Sequence, residues 1–114
     1  MAGAAVDLSH LARYTGGDAT LNAEILRLFD SQANELVARL YGILEARDAK
    51  SWKVVTHTLK GAARGIGAFG LGDAAAAAEP IDPAEDCRTA SAALESLQSR
   101  THAVTFFIKA YLGA

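Results

Sequence analysis

The stretch that decides how this chain folds is His57-Thr58-Leu59-Lys60-Gly61-Ala62-Ala63-Arg64-Gly65-Ile66-Gly67. An α-helix turns by about 100° per residue, so residues three and four apart share a side. Extended a few residues upstream, this helix has one side that is apolar and carries Trp52, Val55, Leu59, Ala63 and Ile66. The other side carries Lys50, Lys53, His57, Lys60, Gly61 and Arg64. Because the apolar side must face a core, we expect the side chain of His57 to point to solvent.

Two features distinguish His57 from an ordinary surface histidine. Lys53 lies about one helical turn before it and Lys60 about one turn after it, with Arg64 a further turn along. Gly61 occupies the place where a side chain would otherwise shade the imidazole. Glycine in a helix interior costs roughly 1 kcal/mol relative to alanine. A helix that accepts this cost beside an exposed histidine indicates that open space is needed there.

A family resemblance rests on the series His57-x-Leu59-Lys60-Gly61, Gly67, Leu71 and Glu79. This series resembles the signature of histidine-containing phosphotransfer (HPt) domains of two-component phosphorelays. The segment from Gly16-Gly17-Asp18 to Leu28-Phe29 also resembles the family's lead-in to its second helix, and the resemblance runs from about Leu8 to the last helix. It implies a histidine that receives a phosphoryl group from a receiver-domain aspartate and passes it to another.

Composition supports a single all-α domain spanning residues 1–114. Hydrophobic residues make up 51% of the chain and aromatic residues only 7%, with two prolines, which suits closely packed helices. The net charge of −2 argues against a nucleic-acid binder, which would normally be basic. No apolar run approaches the ~20 residues of a membrane span, and Met1–Leu8 lacks the features of a signal peptide. The single cysteine, Cys87, is compatible with a reducing compartment, so we expect a cytoplasmic protein without membrane association.

The first half of the chain predicts two helices before the one that carries His57. Asp7 can cap a short helix that runs to about Tyr14 and stops at Gly16-Gly17. A long second helix should start near Asp18 or Thr20 and continue to about Ala46. Its core stripe is predicted to consist of Leu21, Ile25, Leu28, Phe29, Leu36, Leu40, Ile43 and Leu44. Asp48 is the predicted cap of the third helix.

The second half predicts a turn and two more helices. The cluster of Gly65, Gly67, Gly70 and Gly72 indicates a tight helix–helix turn; no strand precedes it and no Gly-Lys-Ser/Thr follows, as a nucleotide loop would require. We expect Phe69 to plug the end of the core. A fourth helix, Leu71 to Glu79, is almost all alanine, and Asp82-Pro83-Ala84-Glu85 is the predicted start of the last helix. Its predicted inward residues are Leu94, Leu97, Val104, Phe107, Ile108 and Tyr111. The architecture expected is an antiparallel four-helix bundle with a short additional N-terminal helix.

The chemistry expected at His57 is covalent transfer. A neutral imidazole has one nitrogen lone pair available for attack and can carry a phosphoryl group. Such transfer depends mainly on positioning and on electrostatic stabilisation of the moving group. We therefore predict that Lys60 contacts the phosphoryl oxygens, and that Lys53 and Arg64 steer an acidic partner.

The chain lacks the parts of a complete active site, since we find no nucleotide loop, no cluster of metal-binding carboxylates and no base aligned with the histidine. We expect a phosphocarrier rather than an enzyme, with no metal and no cofactor of its own. The resemblance implies that receiver domains, of response regulators and of a hybrid histidine kinase, supply an acidic pocket and Mg²⁺. The flatter partner contacts are predicted from wheel position alone as Val54, Thr58, Gly61 and Ala68.

Other functions also fit parts of this pattern. A histidine on a polar helix face is usually only solvated, and His102 and His10 are best explained in that way. A metal-binding bundle would use Glu-x-x-His pairs, and the nearest match is Asp7-Leu8-Ser9-His10 at a helix start. A module that docks receivers without carrying phosphate would have no reason to keep His57, Lys60 and Gly61 together. The initial methionine and the absence of a linker-like tail favour a free-standing carrier, and no dimer seam is evident, which predicts a monomer.

Overall fold

The apolar periodicity of the sequence produces an all-helical chain. The structure, a computed structural model, describes residues 4–113, and this range contains no β-strand. Its helices are α1 Leu8–Thr15, α2 Ala19–Ala46, α3 Ala49–Ile66, α4 Phe69–Ala78 and α5 Cys87–Gly113. Helices α2 to α5 each pack against the next, α5 closes the ring against α2, and α1 covers one end of α2 and α3. The predicted four-helix bundle with an additional N-terminal helix is confirmed.

Aspartates define where the first three helices begin. The carboxylate of Asp7 accepts hydrogen bonds from the backbone N–H groups of the first turn of α1, Asp18 does the same for α2, and Asp48 for α3. Each carboxylate satisfies donors that have no partner inside the helix. The side-chain and backbone hydrogen bonds from Ser51 also hold the pKa of Asp48 below its ordinary value. These three helix starts agree with the sequence prediction.

The start of the last helix differs from the prediction. Asp82 does bind the backbone N–H of Ala84, but this interaction belongs to a separate turn before the helix. Helix α5 begins after Asp86, whose Oδ1 accepts the N–H of Thr89 at 3.1 Å and whose carbonyl accepts that of Ala90 at 3.0 Å. Two acidic residues can each serve as a cap here, and the chain uses both in succession.

The core is built mainly from leucine, valine and alanine around Trp52, and it confirms most of the predicted inward residues. Two residues of the predicted α2 stripe are exposed instead: Leu28, with 71% of its surface accessible, and Leu21. The inward positions near them are filled by Leu26 and Phe29. Neighbouring residues on a helix lie about 100° apart, so Leu28 and Phe29 cannot both face the core.

Phe69 also departs from its predicted role as a core plug. It is exposed at the start of α4 and packs edge-on against the ring of His10, with centroids 5.0 Å apart. The end of the core is closed instead by the N-terminal segment, where Val6 and Leu11 are buried.

The corner between α3 and α4 depends on Gly67. Its φ of +88° is a left-handed conformation that only glycine adopts readily. The backbone of Asp7 passes close by and donates its N–H to the carbonyl of Gly67 at 2.9 Å. A Cβ on Gly67 would lie 2.7 Å from the carbonyl oxygen of Asp7. Gly67 therefore sets both the direction of α4 and the docking of the N-terminal segment, as a helix–helix turn requires.

We predict that Gly67→Ala lowers the free energy of unfolding by about 2 kcal/mol or more, because a left-handed alanine alone costs roughly 1–2 kcal/mol and its Cβ also meets the Asp7 carbonyl. The matched control is Gly42→Ala in α2, where a Cβ meets nothing within 4 Å. Urea unfolding should show Gly42→Ala more stable than wild type by about 0.5–1 kcal/mol. Equal midpoints for Gly67→Ala and wild type would contradict this account of the corner.

Candidate functional site

His57 lies in the middle of α3 on the side that faces solvent. Its side chain is 66% exposed, whereas Trp52 and Leu59, on the other side of the same helix, are completely buried. The predicted division of α3 into a core side and a solvent side is therefore confirmed. The exposed part of the imidazole is accessible to a second macromolecule without any movement of the helices.

A carboxylate from the next helix holds the imidazole. Oε2 of Glu79, the residue that follows α4, lies 3.2 Å from Nδ1 of His57. The other oxygen, Oε1, lies 2.7 Å from Nζ of Lys60. An ionised carboxylate can only accept hydrogen bonds, so in this contact Nδ1 must carry the proton. The lone pair of a neutral ring is then on Nε2, the nitrogen farther from Glu79.

The expectation that no base is aligned with the histidine is therefore wrong. Glu79 occurred in the sequence only as a member of the family-like series, and nothing local assigned it a partner. The missing information is the register between α3 and α4, which are joined by the turn at Gly67. One signal was present: Glu79 is the single charge at the end of an alanine helix that otherwise carries only Asp73.

The hydrogen bond from Lys60 is the main reason that the pKa of Glu79 is lowered, and the hydrogen bond with His57 adds to the effect. Partial burial opposes both but does not reverse them. Glu79 is therefore ionised at neutral pH and able to act as a hydrogen-bond acceptor. Its side chain is only 18% exposed and that of Lys60 24%, so the pair is partly sheltered from solvent while His57 is not.

The position of Glu79 is determined by a buried hydrogen bond one residue earlier. Nε1 of Trp52 donates to the carbonyl oxygen of Ala78 at 2.9 Å, and the indole is completely buried. The backbone N–H of Glu79 continues the helical pattern by donating to Ala75 at 3.0 Å. Trp52 therefore ties the end of α4 to α3, one to two turns from His57. This hydrogen bond fixes the position along α3 at which the Glu79 carboxylate contacts the imidazole.

Two of the basic residues of α3 are paired with acidic side chains. Lys60 is paired with Glu79, and Nη2 of Arg64 lies 3.6 Å from Oδ1 of Asp73 on α4. The stem of Arg64 lies over Gly72, where a Cβ would approach its Cγ to 2.8 Å. Lys53 is exposed. The structure thus places Lys60 beside His57 and directs Arg64 toward α4.

Three of the four predicted flat contacts lie on the surface of α3. Val54 is 58% exposed, Gly61 is exposed, and Thr58 is exposed with its hydroxyl bonded to the carbonyl of Val54 at 2.9 Å. The prediction for Ala68 is wrong, because its side chain is completely buried. The helical wheel does not extend to this residue, since α3 ends at Ile66 and the left-handed Gly67 turns the chain inward.

The space beside His57 is open on the side of Gly61. A Cβ built on Gly61 would meet nothing within 4 Å. An alanine would therefore fit this fold and would favour the helix by roughly 1 kcal/mol. The internal packing of the protein gives no reason for glycine at this position.

Within residues 4–113, no three side chains of histidine, cysteine, aspartate or glutamate gather closely enough to hold a metal ion. No helix in the same range is both long and apolar enough to cross a membrane. The other histidines lie apart from His57: His10 packs against Tyr14 and Phe69, and His102 is exposed on α5.

Comparison with known proteins bears on the fold and on the family. The crystal structure of histidine-containing phosphotransfer protein B (HptB) from Pseudomonas aeruginosa PAO1 is similar to 96% of this chain and 95% of that chain, with a TM-score of 0.85 and 21% sequence identity. That likeness supports the fold. We found no significant match among curated proteins. The family model for the Hpt domain matches residues 24–104. Because the match covers well over half of the chain, this protein belongs to the Hpt domain family of phosphorelay phosphotransfer proteins.

Proposed function

We propose that Nε2 of His57 accepts a phosphoryl group from the aspartate of one receiver domain and passes it to the aspartate of another. The observation that carries the proposal is the exposed imidazole whose Nδ1 is bound by Glu79 at 3.2 Å. This contact leaves Nε2 as the nucleophile. In the accepting step a bond forms between Nε2 and phosphorus, and the bond from phosphorus to the aspartate oxygen breaks. The electron pair of the broken bond stays on the aspartate.

Lys60 is the residue proposed to stabilise the moving phosphoryl group. Its amine is held beside the ring through the carboxylate that both residues share. A positive charge already in place needs no reorganisation as negative charge develops on the phosphoryl oxygens. Lys53 and Arg64 are more exposed than Lys60 and lie on either side of His57 along α3, and they are proposed to attract the acidic pocket of the partner.

The proposed partners are receiver domains of response regulators and of a hybrid histidine kinase. Val54, Thr58 and Gly61 provide a nearly flat surface between the charged residues, as a rigid docking partner requires. The open space at Gly61 supports the same idea, because the fold itself does not need it. In this proposal the receiver supplies Mg²⁺ and completes the chemistry, while this chain acts as a phosphocarrier without a resident cofactor.

We also propose that the protein works as a monomer in the cytoplasm. Four helices close their own core here, so the bundle needs no helices from a second copy. Cys87 is partly buried and has no second cysteine in this sequence with which to form a disulfide, which is compatible with a reducing compartment.

We predict that His57→Gln folds normally but takes up no phosphoryl group from a phosphorylated receiver domain. The matched control is His102→Gln, which removes an exposed histidine on α5 and should leave uptake unchanged. The label on the wild-type protein should be lost in acid and survive in alkali, as expected for a phosphorus–nitrogen bond. Equal labelling of His57→Gln and wild type would remove His57 from the mechanism.

Gly61→Ala is the variant that fills the open space beside His57. The variant should be more stable than wild type by up to about 1 kcal/mol, because the helix gains an alanine in open space. Transfer from a receiver should nevertheless slow by about tenfold, since overpacking a close contact by one methyl group costs about 1–3 kcal/mol.

The control is Ser99→Ala, which replaces an exposed helical residue on α5, a helix that does not pack against α3. It should also stabilise the protein, by less than Gly61→Ala does, and leave the transfer rate unchanged. Stopped-flow transfer and urea unfolding separate the two effects. A Gly61→Ala protein that transfers at the wild-type rate would show that the partner does not use this space.

A further inference from the structure

The contact between Glu79 and His57 has a second consequence, which concerns the departure of the phosphoryl group. When Nε2 carries phosphorus, Nδ1 is the only ring nitrogen that can still gain or lose a proton. This is the nitrogen that lies 3.2 Å from Oε2 of Glu79. The carboxylate cannot easily turn away, because Lys60 holds its other oxygen at 2.7 Å.

We propose that Glu79 keeps the proton on Nδ1 of phosphorylated His57, so that the ring leaves as neutral imidazole when the phosphoryl group departs. The inference rests on the proposed function, since it requires that His57 is phosphorylated on Nε2. Glu79 is a positioning residue in this step. It touches neither phosphorus nor the acceptor and acts through the imidazole.

The balance of atoms and charges explains why this proton matters. In the departing step an acceptor oxygen forms a bond to phosphorus, the bond from phosphorus to Nε2 breaks, and its electron pair returns to Nε2. With a proton on Nδ1 the positively charged ring becomes a neutral imidazole. Without that proton the ring would have to leave as an anion, which is a far poorer leaving group. The same proton stays on Nδ1 during acceptance, so transfer in either direction needs no exchange of protons with solvent.

Charged residues lie on α3 itself and on the two helices packed against it: Lys53, Lys60 and Arg64 on α3, Asp73 and Glu79 on α4 and at its end, and the exposed Glu35 and Arg39 among those on α2. Glu79 is the member of this set that is hydrogen bonded to the ring. Arg64 is paired with Asp73, and the two exposed charges on α2 are of opposite sign. An opposite charge in direct contact favours the charged form of a titrating group, and here that form is the protonated phosphorylated ring.

The test measures the loss of the phosphoryl group to water, with no receiver present. Wild type, E79Q and D73N are phosphorylated with phosphoramidate, and hydrolysis is followed by ³¹P NMR across the pH range. D73N is the matched control because it also removes one carboxylate from α4. This carboxylate is paired with Arg64 of α3 and does not contact the imidazole. His57→Gln identifies any label on another residue.

The rate should fall with rising pH as Nδ1 loses its proton. Glutamate favours the protonated ring, so the midpoint of this fall should lie about one pH unit lower in E79Q than in wild type. In D73N it should coincide with wild type. Coincident midpoints in E79Q and wild type would overturn the inference while leaving the carrier role intact. Equal labelling of His57→Gln and wild type would overturn both.

Discussion

One carboxylate divides its two oxygens between two side chains of α3, and the arrangement of the site depends on this contact. Glu79 binds Nδ1 of His57 with one oxygen and the amine of Lys60 with the other. The position of that carboxylate is in turn set by the hydrogen bond from Trp52 to Ala78 in the core. A buried hydrogen bond between α3 and α4 therefore holds in place the carboxylate that contacts the exposed imidazole.

The bundle separates stability from chemistry. Leucine, alanine and Trp52 fill the inner sides of the helices, while the residues proposed to act in transfer lie on the outer side of α3. No movement of a helix is needed to expose His57. A rigid surface with open space at Gly61 suits a partner that brings the acceptor aspartate and Mg²⁺, so that association alone completes the site that we propose.

The sequence alone predicted helix faces and helix caps, which depend on residues close together in the chain. It did not predict how one helix is positioned against another. The outward position of His57 follows from helical periodicity, and the caps at Asp7, Asp18 and Asp48 follow from short side-chain to backbone bonds. The contact of Glu79 with His57 depends on how α4 leaves the Gly67 turn, which no local pattern specifies. The same turn explains the error at Ala68, because a helical wheel fails where the helix ends. Which of the adjacent Leu28 and Phe29 faces the core depends on the positions of the neighbouring helices, and only Phe29 does.

The central claim is that Glu79 holds the proton of the neutral ring on Nδ1 and leaves Nε2 free. Free neutral imidazoles exchange between the two tautomers, so a protein contact that selects one of them is measurable. The most direct measurement is a long-range ¹H–¹⁵N spectrum of the histidine rings in the unphosphorylated protein, at a pH where His57 is neutral. The account predicts that His57 carries its proton on Nδ1, and that this preference is lost in E79A. A ring that carries its proton on Nε2 in the wild-type protein would contradict it.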